Sequence, residues 1–275
     1  MVPLVIATAL RDAARALAGV GDTPRLDAEL LMAHALGTTR EALLLGSRDG
    51  AVPDAFAALL SRRLAYEPIA YIIGRRAFWS IELDVTPAVL IPRADSETLL
   101  EAAVAHFGAA GPARVLDLGT GSGALLLAAL AEWPNATGVG IDLSAEALAV
   151  ATANAARLGL AGRATFRHAG WEAGADGAFD LVLCNPPYIA DGEPLPPDVA
   201  RFEPASALFA GPEGLDEYRA IATVLRLPPG GLGCIEIGAT QAADVSTLFR
   251  HAGFSTAIAR DLGARERCIV VTPQA

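Results

Sequence analysis

Two short segments of the chain contain the residue types and the spacing that chemistry at a ligand requires. The first is Asp117-x-Gly119-x-Gly121-x-Gly123, which lies between an apolar stretch and a helical pattern. Glycines let the main chain turn sharply and approach a ligand closely, and the N-terminus of the following helix offers free N–H groups. Asp142 ends the next extended stretch, where a carboxylate can accept hydrogen bonds from ribose hydroxyls. These residues predict a binding site for a nucleoside-containing cofactor.

The spacing of the glycines bears on which cofactor is bound. The dinucleotide fingerprint is Gly-x-Gly-x-x-Gly, whereas this chain has Gly-x-Gly-x-Gly, with Asp117 two residues before the first glycine. A carboxylate at that position repels a pyrophosphate and attracts a cationic amino-acid tail. S-adenosyl-L-methionine carries an ammonium and a sulfonium but no phosphate. It is therefore the favoured cofactor, and NAD is the weaker alternative.

The second segment is Asn185-Pro186-Pro187-Tyr188, which follows an apolar run. Proline fixes the turn and cannot donate a main-chain hydrogen bond, so the Pro186 carbonyl can point into a site. Asn185 adds a side-chain carbonyl acceptor, and Tyr188 offers a flat face for stacking. Two acceptors match the two N–H groups of a planar –NH2 group. The segment predicts a turn that binds an amide or an exocyclic base nitrogen.

Composition narrows the functions that these segments could serve. All 21 basic residues are arginine, so chemistry that depends on lysine is excluded. The net charge of −10 disfavours a large nucleic-acid-binding face. The three cysteines form no CxxC pair and the four histidines are isolated, so we expect no disulfide framework and no metal site.

The chain shows no sign of a membrane or export segment. Its charge-free apolar runs are shorter than the roughly 18–20 residues that a membrane-spanning helix needs. The first residues lack the basic region of a signal peptide and run directly into Arg11 and Asp12. We therefore expect a soluble cytoplasmic protein.

The apolar pattern divides the chain into three parts that would position the two segments. Residues 1–75 have helical spacing and balanced charge, which predicts a small helical bundle. Residues 76–94 predict a hairpin connector. Residues 95–275 alternate helical and extended patterns, which predicts an α/β fold with a mostly parallel, doubly wound sheet. Ligands of such sheets bind at the carboxyl ends of the strands, where both segments fall.

Further segments of the chain place these motifs in a family. With the two site motifs, they resemble the release-factor glutamine N5-methyltransferase family (HemK/PrmC type) of class I methyltransferases, from about residue 60 to the end. The chain departs from the family pattern at Ala94, Ser96 and Gly170, where proline, threonine and an acidic residue are usual. The segments that carry the resemblance are Glu67-Pro68-x-x-Tyr71-Ile72-x-Gly74, Phe78, Val89-Leu90-Ile91-Pro92-Arg93-x-Asp95-x-Glu97, Glu203-Pro204, Ala207-Leu208-Phe209, Gly214-Leu215, Tyr218-Arg219, Gly230-Gly231, Glu236-Ile237-Gly238 and Gln241.

The resemblance implies a fold, a reaction and a set of site residues. The fold is an N-terminal helical bundle that recognises the substrate, a β-hairpin linker and a Rossmann-like methyltransferase domain. The reaction is S-adenosyl-L-methionine-dependent methylation of the glutamine in the GGQ loop of class 1 peptide-chain release factors. By position, the substrate turn falls on Asn185, Pro186, Pro187 and Tyr188, of which Asn185, Pro186 and Tyr188 are the catalytic candidates. Cofactor binding falls on Asp117, Gly119, Thr120, Gly121, Ser122, Gly123, Asp142, Trp171 and Asn185.

Two other functions stay open at this stage. The Asn-Pro-Pro-Tyr turn also suits an N-methyltransferase that acts on an amino group of adenine or guanine in nucleic acid. The charge of −10 and the family segments argue against that alternative. The second is a catalytically silent, cofactor-binding partner of the translation machinery, against which the two intact motifs argue.

Three further residues carry weaker signals. Arg93 is expected to form a surface ion pair with Asp95 or Glu97. Glu236 ends a predicted strand and either faces the site or is solvated. Cys184 precedes the Asn-Pro-Pro-Tyr turn without a histidine partner in sequence reach, which favours a buried and inert thiol.

Overall fold

The computed structural model describes residues 5–176 and 179–274, with side chains omitted at 174–176. The chain divides into two compact units. The helical unit comprises the described residues of Met1–Arg75 together with Leu195–Phe202, and the α/β unit comprises those of Arg76–Pro194 and Glu203–Ala275. The segment Leu195–Phe202 therefore groups with the helical unit, although the sequence pattern left it with the α/β part.

The helical unit is built on amphipathic helices around a core that includes Leu17, Leu31 and Met32, all fully buried. An ion pair crosses this core, because Arg63 Nε donates to Asp27 Oδ2 at 2.8 Å and both side chains are buried. A paired and hydrogen-bonded charge is tolerated there, whereas a single one would not be. Its helices before the hairpin are α1 (Ile6–Ala16), α2 (Pro24–Ala35), α3 (Arg40–Leu45), α4 (Ala55–Leu64) and α5 (Ile69–Ile73).

A β-hairpin follows, formed by β1 (Arg75–Phe78) and β2 (Ile81–Asp84). Its inward side chains Phe78 and Leu83 are buried in the core of the α/β unit. A loop that contains a hydrogen-bonded turn, in which Val89 N donates to the Thr86 oxygen at 3.1 Å, then leads through a short 3-10 turn at Ala94–Ser96 into helix α6 (Glu97–Phe107). The predicted hairpin linker is confirmed.

Within the described part of the chain, seven strands form one sheet in the order β5-β4-β3-β6-β7-β9-β8. The pairs that join β5, β4, β3, β6 and β7 are parallel, and β9 pairs antiparallel with both β7 and β8. The predicted doubly wound α/β fold is confirmed. The elements are β3 (Arg114–Leu118), α7 (Ala124–Glu132), β4 (Thr137–Asp142), α8 (Ala145–Arg157), β5 (Ala164–His168), β6 (Leu181–Cys184), α9 (Pro197–Phe202, in the helical unit), α10 (Asp216–Val224), β7 (Leu232–Glu236), α11 (Ala242–His251), β8 (Phe254–Arg260) and β9 (Glu266–Pro273).

The central strands are mostly apolar because helices cover both faces of the sheet. Asp117 on β3 and Glu236 on β7 are exceptions. Every residue of β6 and of β7 is buried. Their register pairs Leu118 with Cys184 and Cys184 with Ile235, so the carboxyl ends of β3, β6 and β7 lie side by side. The two motifs found in the sequence therefore meet at one edge of the sheet.

None of the helices in the described ranges has both the length and the apolar character that crossing a membrane requires.

Candidate active site

The glycine segment forms the turn between β3 and α7. Gly119, Gly121 and Gly123 have φ values of +72°, +53° and +84°, a region of backbone conformation that favours glycine. At Gly119 the missing side chain also makes room, because a Cβ there would lie 3.2 Å from the Trp171 ring. The turn therefore depends on glycine both for its shape and for the approach of Trp171.

Asp142 ends β4 opposite this turn and is tied to it. Its Oδ2 accepts a hydrogen bond from the Gly121 N–H at 2.9 Å, and its Oδ1 accepts one from the Ser144 N–H, also at 2.9 Å. Each carboxylate oxygen keeps a further lone pair. The side chain is held in place and can still accept hydrogen bonds from a pair of ligand hydroxyls.

Asp117 lies on β3 beneath the turn and is only 1% exposed. Its Oδ2 accepts hydrogen bonds from the Thr120 hydroxyl at 2.7 Å and the Leu126 N–H at 3.2 Å, while Oδ1 has no partner among the described residues. Burial, aided by repulsion from Asp142, raises the pKa of Asp117 to about 7. A buried acceptor without a partner is costly, so Oδ1 is a natural contact for a ligand cation.

A cavity of about 360 Å³ opens beside these residues, a volume typical of small-ligand pockets. The lining residues include the acids Asp117, Asp142 and Glu217, and none of those described is a lysine or an arginine. Such a cavity attracts a cation and repels a phosphate. Its apolar walls come from Phe78, Val89, Leu90, Pro92, Leu125, Trp171, Pro187 and Pro204, among others.

Trp171, assigned to the cofactor through the resemblance, lines this cavity. Its indole N–H donates to a carboxylate oxygen of Glu217, which lies in the first turn of α10 and lines the cavity too. The sequence analysis did not single out Glu217 as a site residue. Its only signal was its place in the Gly-Leu-Asp-Glu-Tyr-Arg segment, since its partner lies 46 positions away.

The Asn-Pro-Pro-Tyr turn follows β6 at the same edge. Asn185 and Pro187 line the cavity, Pro186 is buried, and Tyr188 is half-buried with its hydroxyl 3.4 Å from Glu236 Oε1. The structure thus brings Asn185 to the glycine turn, and it directs the Tyr188 hydroxyl toward β7.

Gln241 holds the Asn-Pro-Pro-Tyr turn in place through side-chain hydrogen bonds. The sequence analysis did not predict it to be a site residue. Its Nε2 donates to the main-chain oxygens of Tyr188 at 3.0 Å and of Gly214 at 3.1 Å, and its Oε1 accepts from the Gly238 N–H at 2.9 Å. Gly214 packs against the turn so closely that a Cβ there would lie 2.3 Å from the Tyr188 oxygen. These contacts hold the Asn-Pro-Pro-Tyr backbone in one conformation.

The three weaker signals have different outcomes. Arg93 pairs with Glu203, so the expected pairing with Asp95 or Glu97 is wrong. Glu203 is the preferred partner because it is buried and also accepts from the Ile91 N–H at 3.1 Å.

Glu236 is 1% exposed and is therefore not solvated. Cys184 is buried as predicted, and burial raises the pKa of its thiol. A protonated thiol is a weak nucleophile. The raised pKa therefore agrees with an inert thiol, and the inertness itself stays a prediction.

The residues fit the cofactor that the sequence favours. Asp117 Oδ1 has no partner among the described residues and would accept from the ammonium group of S-adenosyl-L-methionine, and Asp142 would accept from its ribose hydroxyls. Trp171 supplies an aromatic wall, and the described lining residues carry no cation that would favour a phosphate.

The sheet, the glycine turn and the acid-lined cavity define a Rossmann-like methyltransferase. A methyltransferase domain family matches residues 111–224, and the PrmC N-terminal domain family matches residues 8–74. A methyltransferase of Pyrococcus furiosus shares the fold, with a TM-score of 0.52 and 15% identity over 71% of this chain and 90% of that one.

Two relatives match nearly the whole chain. A Rhodospirillum rubrum protein named release factor glutamine methyltransferase is 44% identical over 94% of this chain and 82% of its own length. A Cereibacter sphaeroides protein of the same name is 44% identical over 96% of both chains. The chain belongs to the release factor glutamine methyltransferase family.

Proposed function

We propose that this protein transfers the methyl group of S-adenosyl-L-methionine to the side-chain nitrogen of the glutamine in the GGQ loop of class 1 peptide-chain release factors. One observation carries the proposal. Asn185 borders the acid-lined cavity, and its Nδ2 is engaged by Ser96 Oγ at 3.2 Å, which leaves Oδ1 to accept a hydrogen bond. An acceptor beside a cation-binding cavity suits an –NH2 substrate.

The turn would activate a nitrogen that is a poor nucleophile. The lone pair of an amide nitrogen is delocalised into its carbonyl group, so the nitrogen must be positioned and its developing positive charge stabilised. Asn185 Oδ1 and the Pro186 carbonyl can accept the two N–H groups, and these contacts strengthen as charge develops on nitrogen. S-adenosyl-L-methionine, when bound, supplies an electrophilic methyl group. Alignment of the amide toward the cavity supplies a further part of the rate.

The cofactor residues have separate tasks in this proposal. Asp117 would bind the ammonium, Asp142 the ribose hydroxyls, and Trp171, held by Glu217, would form the aromatic wall. Thr120 and Ser122 line the same cavity, and the Thr120 hydroxyl orients Asp117. No strong base is needed before transfer, since the methylated amide becomes acidic and can lose its proton late.

The helical unit would recognise the release factor. Its match to the PrmC N-terminal domain family supports this role. We expect no direct nucleic-acid substrate, since the net charge is −10. We expect the protein to act in the cytoplasm, where translation termination takes place.

A transfer assay with radiolabelled S-adenosyl-L-methionine tests this function. The substrates are a purified class 1 release factor, the same factor with its GGQ glutamine replaced, and a mixture of tRNA and DNA. The proposal expects label on the unaltered factor alone. Label on nucleic acid, or equal labelling of both factors, would contradict it, as would the absence of transfer with bound cofactor.

A further inference from the structure

Three acids among the described residues line the cavity, and the proposed function gives a ligand contact to two of them. Asp117 would bind the ammonium group of S-adenosyl-L-methionine, and Asp142 would bind its ribose hydroxyls. The third acid, Glu217, then contacts only protein, through the hydrogen bond that it accepts from the Trp171 indole N–H. A carboxylate that is partly withdrawn from water is costly unless it gains partners. The third acid therefore points to a further contact with the ligand.

The carboxyl of Glu217 is held through one oxygen and keeps the other available. Glu217 is partly buried and lies in the first turn of α10, where the helix dipole favours a negative charge. Its Oε2 accepts the hydrogen bond from Trp171 Nε1, and no residue in the described ranges donates a hydrogen bond to its Oε1. Because an indole N–H lies in the plane of its ring, the carboxyl lies at the edge of the ring. Oε1 is thus an unoccupied acceptor at the edge of the aromatic wall.

The covalent structure of the cofactor directs its base toward this wall. The ribose joins the methionine tail to the adenine, so a tail at Asp117 and a ribose at Asp142 leave the adenine on the far side of Asp142. Ala169 adjoins Asp142 there, because its N–H donates to the Asp142 main-chain oxygen at 3.2 Å. Ala169 and Trp171 both line the cavity. The indole offers a face on which a base can stack, with the Glu217 carboxyl at its edge.

Adenine presents a single kind of hydrogen-bond donor to such a carboxyl. Its 6-amino group donates, whereas its free ring nitrogens accept. A carboxylate only accepts hydrogen bonds, so it attracts the amino group and repels the ring nitrogens. The free oxygen of Glu217 is therefore matched to the 6-amino group of the base.

We propose that Glu217 is a specificity-determining residue that accepts a hydrogen bond from the 6-amino group of the cofactor's adenine through Oε1, while its Oε2 holds Trp171 beside the base. The inference rests on the cofactor contacts of the proposed function. It deepens that function, because it assigns a polar side chain to the base, the part of the cofactor that Asp117 and Asp142 do not contact.

A nearby acid provides a matched control. Glu172 lies one residue after Trp171, and its Oε1 accepts a hydrogen bond from the Gly170 N–H at 2.9 Å. Glu172 is exposed and is not among the residues that line the cavity. E172Q therefore removes the same charge close to Trp171 without removing an acceptor from the cavity.

Calorimetric binding of two ligands to the full-length protein tests the inference. The ligands are S-adenosyl-L-homocysteine and its purine analogue, in which hydrogen replaces the 6-amino group. We expect the wild type to bind the adenosyl compound about tenfold or more tightly than the analogue, the value of one hydrogen bond to a charged group. In E217Q, the Trp171 N–H selects the amide oxygen, so the amide NH2 group faces the base. The preference should then fall to about one or reverse, whereas E172Q should keep the wild-type preference.

The ratio of the two Kd values separates recognition of the base from other effects of the substitution. Loss of a negative charge near the ammonium, or a small loss of stability, weakens both ligands alike and leaves the ratio unchanged. Equal Kd values for the two ligands in the wild type, a wild-type ratio in E217Q, or an equal fall in E172Q would overturn the inference. No methyl acceptor is present, so a different substrate would contradict the proposed function and leave this result standing. Failure of both ligands to bind would contradict the cofactor site and the inference together.

Discussion

Asp117 and Glu236 stand near the carboxyl ends of β3 and β7 and look alike in isolation. Each is 1% exposed, and burial raises the pKa of each to about 7. Each has one carboxylate oxygen without a partner among the described residues. Their surroundings differ, because Asp117 lines the cavity and Glu236 lies behind the Asn-Pro-Pro-Tyr turn.

This difference in surroundings shows that two buried acids at the same edge of the sheet can have different roles. Asp117 lines the cavity, and in the proposed function a cationic ligand would partner its free oxygen and relieve its unfavourable burial. Glu236 has the Tyr188 hydroxyl 3.4 Å from its Oε1 and does not line the cavity, so a ligand there would not contact it directly. Asp117 should therefore govern cofactor affinity, whereas replacement of Glu236 should leave cofactor affinity nearly unchanged.

The largest expected effect is a loss of turnover when Asn185, the proposed substrate-binding residue, is replaced. Asn185→Ala removes the acceptor for the substrate N–H, and we expect kcat to fall about 100-fold or more. Cofactor Kd, measured by calorimetry, should change little, because the ammonium and ribose contacts lie elsewhere. An equal loss of cofactor affinity would show that the two tasks are not separate.

The second largest expected effect is a loss of cofactor affinity when Asp117 is replaced. Asp117→Asn keeps the side-chain shape and removes the charge that faces the ammonium. We expect cofactor Kd to weaken by about tenfold to 100-fold, which is typical of a lost charged hydrogen bond. At saturating cofactor, kcat should stay within a few-fold of the wild type. A collapse of kcat with unchanged Kd would contradict the assignment of Asp117 to cofactor affinity.

The pH dependence of cofactor binding sharpens the comparison further. The cation needs an ionised Asp117, whose pKa of about 7 means that a proton must leave before binding at lower pH. Cofactor affinity should thus fall about tenfold between about pH 8 and about pH 6, and this dependence should disappear in Asp117→Asn. It should persist in Glu236→Gln, and its loss there would contradict the division of roles.

The smallest expected effect tests the backbone of the turn. In Gly214→Ala, the new Cβ would lie 2.3 Å from the Tyr188 oxygen, at a φ of +67°. Gly192→Ala is the matched control, since its φ is +81° and a Cβ there meets nothing within 4 Å. We expect Gly214→Ala to lose about 1–3 kcal/mol more unfolding free energy than the control and several-fold in kcat. Equal values for the two variants would mean that the contact with Tyr188 is unimportant.

The sequence was sufficient to predict the parts of this molecule that local pattern determines. Alternating helical and extended segments predicted the α/β fold, and glycine spacing placed the turn after β3. The antiparallel direction of β9 was not predicted, because strand direction leaves no trace in hydrophobic periodicity. The helix α9 was also missed. It has only six residues and lies in a proline-rich stretch, so it is too short to show a helical repeat of apolar residues.

The residues that support the site could not be predicted, because their contacts join positions that are far apart in the sequence. Ser96 contacts Asn185 across 89 positions, and Gln241 contacts Tyr188 across 53. Each belongs to a segment that carried the family resemblance, but nothing in their local sequence shows which side chain meets which. Glu236 was left undecided between facing the site and being solvated, and only the fold resolves its burial.

Peptide mass spectrometry of the reaction product tests the central claim most directly. A class 1 release factor is incubated with S-adenosyl-L-methionine and either the wild-type protein or Asn185→Ala, and the peptide that contains the GGQ loop is sequenced. The wild type should add one methyl group to the glutamine side chain, and the variant should add little or none. Methylation at another residue, or none on a factor that binds the loaded enzyme, would contradict the claim.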